Sequence, residues 1–130
     1  MKFPCEIVVR DFLPTMRAFI AKELIKSHGF TQNEVASVLG ITQASVNYYL
    51  NAKRGGKTKF PKELKALRPF AKKVAGQLAQ NKTQMANAIQ EFCITCVNLR
   101  AKRSICSEHK KVLLPLRGQT CDICAIVECI

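Results

Sequence analysis

The sequence predicts a mainly α-helical protein, with an N-terminal helical bundle, further helices after it and a small cysteine-rich C-terminal segment. Three observations lead to this fold class. Apolar residues recur at helical spacing through most of the chain. Residues 31–51 have the cap and glycine residues of two short helices joined by a tight turn. Six of the seven cysteines follow residue 90.

The chain begins with an apolar stretch that fits two kinds of secondary structure. Ile7, Val8 and Val9 could form a short strand or the first turns of a helix, and the pattern leaves both open. Pro14 suits the first turn of a helix, and the apolar stripe after it predicts a helix that ends at Gly29. The stripe consists of Met16, Phe19, Ile20, Leu24 and Ile25.

The two short helices of residues 31–51 are defined by their ends. Thr31 is a good N-cap, and Glu34 three residues later completes a capping box. Gly40 stands where the first helix ends and the backbone needs a positive φ, which glycine adopts at little cost. Thr42 caps the second helix. The expected apolar faces are Val35, Ala36 and Leu39, then Val46, Tyr49 and Leu50, and the second helix turns Gln43, Ala44, Ser45, Asn47 and Tyr48 outward.

This stretch resembles the helix-turn-helix of the Cro/C1 repressor class, also called XRE-type. The matching positions are Gln32, Val35, Ala36, Leu39, Gly40, Ile41, Gln43, Val46 and Leu50. The chain departs from the class at Tyr49, where an aliphatic residue is usual. The resemblance implies a Cro/C1-type helix-turn-helix DNA-binding domain over residues 1–58, whose second helix enters the major groove. The alternative is a helical hairpin used only for packing, which the polar, uncharged outward face disfavours.

The residues expected to contact DNA form two groups. By resemblance to phage repressors, Gln43 opens the recognition helix and pairs with an adenine edge. Basic residues beside the Gly55-Gly56 break are placed for phosphates, which set register without reading sequence, although a solvated basic loop is the alternative. The full expected set is Gln32, Thr42, Gln43, Ala44, Ser45, Asn47, Tyr48, Asn51, Lys53, Arg54 and Lys57, with Lys59 beside it.

Composition points to the same class of partner. The net charge is +12, and residues 1–60 carry nine basic and four acidic residues, so the positive balance is not confined to a tail. A folded chain this basic usually meets a polyanion, and nucleic acid is the default. There is no run of roughly 18 apolar residues and no secretory leader pattern. We therefore expect a cytoplasmic, nucleoid-associated protein, in which cysteines serve metal or redox chemistry rather than disulfides.

Two more helices are expected after the Gly-Gly break. Pro61 starts the first, with a kink or restart at Pro69, and Asn81-Lys82-Thr83 is expected to be a turn that caps the second. Apolar stripes on both helices predict core packing first and a dimer seam second. We assign residues 59–92 to a helical linker or dimerisation region and residues 93–130 to the cysteine-rich segment, in which residues 112–130 could form a hairpin.

The cysteine spacing predicts a metal or cluster site. Two CxxC pairs and Cys106 supply more thiolates than a tetrahedral site needs, and the predicted ligands are Cys93, Cys96, Cys106, Cys121 and Cys124. Four thiolates suit Zn²⁺ and iron–sulfur clusters equally. The apolar setting of both pairs favours an iron–sulfur cluster, expected to be 4Fe–4S, with Zn²⁺ as the alternative. His109 is either a ligand or a surface residue beside two lysines, and buried free cysteines are the alternative to any metal site.

The whole chain also resembles a group of archaeal predicted regulators. These join an XRE-type domain to a cysteine-rich C-terminal segment and begin with a Pro-Cys-Glu tripeptide, here Pro4-Cys5-Glu6. The resemblance implies a sequence-specific, DNA-binding transcription regulator whose C-terminal site senses redox state, metal or iron–sulfur supply. We expect a homodimer on double-stranded DNA.

Two other functions stay open. One is a DNA-binding regulator with a purely structural zinc, and the other is a small metal-trafficking or electron-transfer protein with an incidental helix pair. An enzyme acting on a small-molecule substrate is not expected. The chain shows no Ser/His/Asp set, no glycine-rich phosphate loop and no paired carboxylates suited to a pocket.

Overall fold

The computed structural model describes residues 1–51, 61–80 and 85–126, with the backbone alone for residues 61, 64, 125 and 126. Every regular element in this part of the chain is helical, which confirms the mainly α fold class. Besides the α-helices, this part of the chain has a π-helical turn at Val8–Phe12 and a 3₁₀ turn at Leu114–Leu116. The helices are α1 (Pro4–Ile7), α2 (Leu13–His28), α3 (Gln32–Leu39), α4 (Gln43–Asn51), α5 (Pro61–Gln80), α6 (Met85–Ala101), α7 (Cys106–Val112) and α8 (Ile123–Ile126).

Residues 4–12 are helical, so Ile7, Val8 and Val9 form helical turns and not a strand. The N–H of Leu13 donates to the carbonyl of Val8, five residues back, and so closes the π turn between α1 and α2. Pro14 lacks an N–H, and its ring crowds the carbonyl four residues before it, which accounts for the wider turn at this point. Phe12 is fully buried, so this segment is part of the core.

Glycines end α2 and α3, and threonine caps begin α3 and α4, as predicted. Gly29 and Gly40 follow α2 and α3 with φ of 67° and 64°, a conformation that costs other residues about 1–2 kcal/mol. The hydroxyl of Thr31 accepts the N–H of Glu34 at 3.2 Å. The hydroxyl of Thr42 accepts the N–H of Ser45 at 3.1 Å, so α4 begins where the sequence placed it.

One hydrophobic core joins α2 to α3, α4 and α5. Helix α5 packs on α2 and continues through Pro69, so the predicted restart at Pro69 is wrong. Its buried stripe explains the continuity, because the same core holds the helix before and after the proline. The stripe is Leu67, Ala71, Val74, Ala75 and Leu78.

The C-terminal helices extend from this core. Helix α6 packs on α5, with Phe70 and Phe92 ring centroids 6.4 Å apart and Lys73 Nζ 3.1 Å from Glu91 Oε2. The hairpin considered for residues 112–130 is wrong in its described part, which is helical or irregular. Pro115 lacks the N–H that a strand ladder needs, and it lies in the 3₁₀ turn instead.

Several predicted features lie outside the described residues. These are the turn at residues 81–83 with its N-cap Thr83, the basic residues Lys53, Arg54, Lys57 and Lys59, and Cys129. Among the helices that are described, none has both the length and the apolar character needed to cross a membrane.

Candidate functional site

Helix α4 has one buried side and one exposed side. Val46 is fully buried against the core, and Tyr49 and Leu50 are half-buried beside it. The opposite side carries polar, uncharged groups and no described basic residue. The exposed predicted contacts on it are Thr42, Gln43, Ala44, Asn47, Tyr48 and Asn51, with Ser45 half-buried at its edge.

Hydrogen bonds within α4 determine which of these groups remain available. The hydroxyls of Thr42 and Ser45 lie 2.8 Å apart and bond to each other. Asn51 Nδ2 donates to Asn47 Oδ1. Gln43 makes no side-chain hydrogen bond within the part of the chain that the structure describes, so its amide offers both a donor and an acceptor. That pair matches the edge of an adenine in the major groove.

The other predicted DNA contacts differ in exposure, and some lie outside the described residues. Gln32 is half-buried in the first turn of α3, the helix packed against α4. Tyr48 is 46% exposed, and its ring centroid lies 6.2 Å from that of Tyr49. The structure therefore brings the predicted base-reading residues onto α4 and the start of α3. The phosphate-binding residues predicted after α4 stay predictions.

A second group of candidate site residues lies around the C-terminal helices. Cys106 and His109, one turn apart on α7, line a small cavity together with Cys121 and Cys124. Cys93 and Cys96 are on α6 and do not line it. Cys93 is exposed, and Cys96 packs at the edge of the core. Three of the five predicted ligands thus share one cavity, and the first CxxC pair lies apart from it.

The side chains of this cavity are of types that bind metals, but they are not close enough together to hold an ion as they stand. Thiols and imidazole are the donors that zinc and iron–sulfur centres use. In the described ranges, no three His, Cys, Asp or Glu side chains are close enough together to hold an ion. Burial raises the pKa of the Cys124 thiol, and the thiols of Cys106, Cys121 and Cys5 act in the same direction.

Two arginine side chains lie near the cysteines of the cavity. The guanidinium of Arg100, which is 3% exposed, acts to lower the pKa of Cys124. Arg103 follows α6 in the left-handed region, with φ of 60°. Its guanidinium donates to the carbonyl of Cys121 at 3.1 Å and pairs with Asp122, which raises the pKa of Arg103. Arg103 thereby ties the second CxxC pair to the end of α6.

The comparisons with known proteins concern the N-terminal part. Residues 22–55 match the family model described as Helix-turn-helix. Residues 22–55 are thus similar to XRE-type helix-turn-helix domains. This match, which covers about a quarter of the chain, supports a DNA-binding function in transcription regulation. Comparison with curated proteins and with solved structures found no significant match.

His109 joins the start of the helix-turn-helix half to the C-terminal half. Its imidazole is buried, and Nε2 lies 2.6 Å from the carbonyl oxygen of Lys2. The reading of His109 as a surface residue is therefore wrong. The lysines after it suggested an exposed turn, but α1 packs on α7 and covers the ring. No local pattern could reveal a contact between residues 107 positions apart.

Proposed function

We propose that this protein is a sequence-specific, DNA-binding transcription regulator that reads double-stranded DNA with α4. The exposed face of α4, on which the Gln43 amide makes no hydrogen bond to another described residue, is the observation that carries the proposal. The net charge of +12 supports it, because phosphate attraction supplies much of the affinity of such proteins. The alternative of an electron-transfer or metal-trafficking protein gives no reason for this exposed, polar face of α4.

Selection from a library of random DNA duplexes tests this function. Repeated rounds of binding by the full-length protein should enrich one motif, and fluorescence anisotropy should then show tighter binding to that motif than to a scrambled duplex. Specific binding by such domains is typically at least about 10³-fold tighter than non-specific binding. Equal affinity for the two duplexes at physiological salt would contradict sequence-specific reading.

A homodimer is the proposed DNA-binding form. Two recognition helices read half-sites separated by one helical turn, about 34 Å. Helix α6 offers apolar surface for such a seam, since Ile89 and Ile94 are 57% and 53% exposed. Sedimentation should show a dimer at micromolar concentration, with and without the selected duplex. A monomer in both cases would contradict the dimer.

The cysteine-rich segment is the proposed sensory site. The cofactor proposed from the sequence is an iron–sulfur cluster, with Zn²⁺ as the alternative, and the shared cavity of Cys106, Cys121 and Cys124 supports a metal centre in general. A signal can act only if the two DNA-binding states differ in metal affinity, and DNA must then change metal affinity by the same factor. Operator binding by metal-loaded and chelated protein, with helical content followed in parallel, tests the coupling. Equal affinity in both forms would contradict a sensory role.

A further inference from the structure

We infer that the cavity between α7 and α8 is a Cys₃His zinc site, with Cys106, His109, Cys121 and Cys124 as ligands. All four side chains line the same cavity. The assignment replaces the first CxxC pair with His109 and so differs from the ligand set expected from spacing alone. Only the regulatory consequence of this zinc site rests on the proposed function, because metal binding itself requires no DNA.

The orientation of His109 is the first argument for the imidazole as a ligand. Nε2 lies 2.6 Å from a backbone carbonyl oxygen, which can only accept a hydrogen bond. In neutral His109, Nε2 therefore carries the proton and Nδ1 keeps its lone pair. Zinc-binding histidines commonly donate their second ring nitrogen to a carbonyl or carboxylate, which fixes the tautomer in this way. The Lys2 carbonyl supplies that partner.

Sequence spacing and helix geometry are the second argument. Cys106 and His109 are three residues apart on α7, so they lie on the same face of that helix. Cys121 and Cys124 are also three residues apart: Cys121 lies two residues before the four-residue helix α8, and Cys124 is its second residue. The two pairs face one cavity, and three thiolates with one imidazole are an established structural zinc set. Clusters of the 4Fe–4S type take four thiolates, so the imidazole favours zinc.

Charge balance is the third argument. Three thiolates and one Zn²⁺ leave a net charge of about −1, which is costly to bury alone. Arg100 is almost fully buried and its charge acts on Cys124. Arg103 lines the cavity and donates to the Cys121 carbonyl. The two guanidinium groups place positive charge beside the site.

The ligands must still move together when the ion binds, because the described side chains do not converge. Cysteine sulfurs change position by rotation about one bond, between staggered rotamers, and α8 is a short helix held by α6 and by Arg103. Zinc binding would therefore fix the tail against α7 and, through His109 and Lys2, against the N-terminal residues.

Cobalt substitution of the full-length protein tests the ligand set, because absorption from thiolate-to-cobalt charge transfer scales with the number of bound thiolates. Reduced, metal-free protein should bind one Co²⁺ per chain, and Zn²⁺ should displace it. Cys106→Ser should lower the charge-transfer absorption by about a third, as expected when one of three thiolates is lost. Cys93→Ser is the matched control and should leave it unchanged. Cys5→Ser should also leave it unchanged, because the Cys5 thiol acts on Cys124 but does not line the cavity.

Two variants of His109 keep the test decisive even if one of them folds poorly. His109→Asn should keep the charge-transfer absorption and weaken zinc affinity by at least about tenfold. His109→Cys should raise the absorption by about a third, because a fourth thiolate then joins the site. Absence of any cobalt binding, a loss in Cys93→Ser or Cys5→Ser, or no change in His109→Cys would overturn the assignment. Iron and sulfide retained after anaerobic purification would overturn it as well.

Discussion

Nε2 of His109 lies 2.6 Å from the carbonyl oxygen of Lys2, which links α7 to the residues just before α1. The contact holds α1 against α7, and α1 leads through the π turn at Val8–Phe12 into α2 of the DNA-binding core. His109 therefore connects the cavity that it lines to the N-terminal residues of the chain.

The contribution of the His109–Lys2 contact to the free energy of unfolding can be measured in metal-free protein. His109→Ala removes the donor to the Lys2 carbonyl and should lower the free energy of unfolding by about 1 kcal/mol or more. Denaturant unfolding in the presence of a chelator gives the difference. His28→Ala is the control, since His28 is exposed at the end of α2 and should cost less than about 1 kcal/mol. Equal effects of the two substitutions would show that the contact with Lys2 adds nothing to stability.

The N-cap of the recognition helix should contribute to stability. Thr42→Ala removes the oxygen that accepts the N–H of Ser45 and should cost about 1 kcal/mol. Thr120→Ala, at an exposed position outside any described helix, is the matched control and should change the free energy of unfolding by less than about 0.5 kcal/mol. If both variants unfold at the same denaturant concentration as the wild type, the cap has no energetic role.

Basic residues after α4 should supply a sequence-independent part of DNA affinity. Each of Lys53, Arg54, Lys57 and Lys59 that binds a phosphate should, when changed to Gln, reduce the slope of log K against log salt by about 0.9. Lys102→Gln, in the turn after α6, is the control and should keep the wild-type slope. An unchanged slope in all four loop variants would exclude this loop from the interface.

Arg103 combines an unfavourable backbone conformation with a favourable side-chain contact, and two substitutions separate these effects. Arg103→Gly and Arg103→Ala both remove the contact with Cys121 and Asp122, so alkylation of Cys121 and Cys124 should become faster in both. Only glycine relieves the positive φ, so the Gly variant should be about 1 kcal/mol more stable than the Ala variant. Wild-type alkylation rates in both would contradict the proposed role of the side chain.

The helix-turn-helix could be predicted because its signals are local. Thr31, Gly40 and Thr42 act on backbone groups within a few residues of themselves, so reading the chain in order is enough to place α3 and α4. The buried side of α4 follows from the same periodicity, and Val46 is fully buried as expected.

The side-chain positions of the C-terminal half could not be predicted, because they depend on residues that are distant in sequence. The burial of His109 depends on Lys2, and the position of Cys121 depends on Arg103. A non-glycine residue in the left-handed region gives no sign of itself in the sequence. The apolar runs around Gly118 suggested a hairpin, but Pro115 and the 3₁₀ turn leave no strand among the residues described there.

Specific recognition by Gln43 is the central claim, and one binding measurement tests it most directly. The affinities of wild type, Gln43→Ala and the control Gln90→Ala, an exposed glutamine on α6, are compared on the selected duplex and on its scrambled form. The account predicts that Gln43→Ala weakens specific binding by about 1–3 kcal/mol, roughly 5- to 150-fold, and leaves non-specific binding almost unchanged. Gln90→Ala should match the wild type on both duplexes. An equal loss by Gln43→Ala on both duplexes, or no loss on either, would contradict the assignment of α4 as the recognition helix.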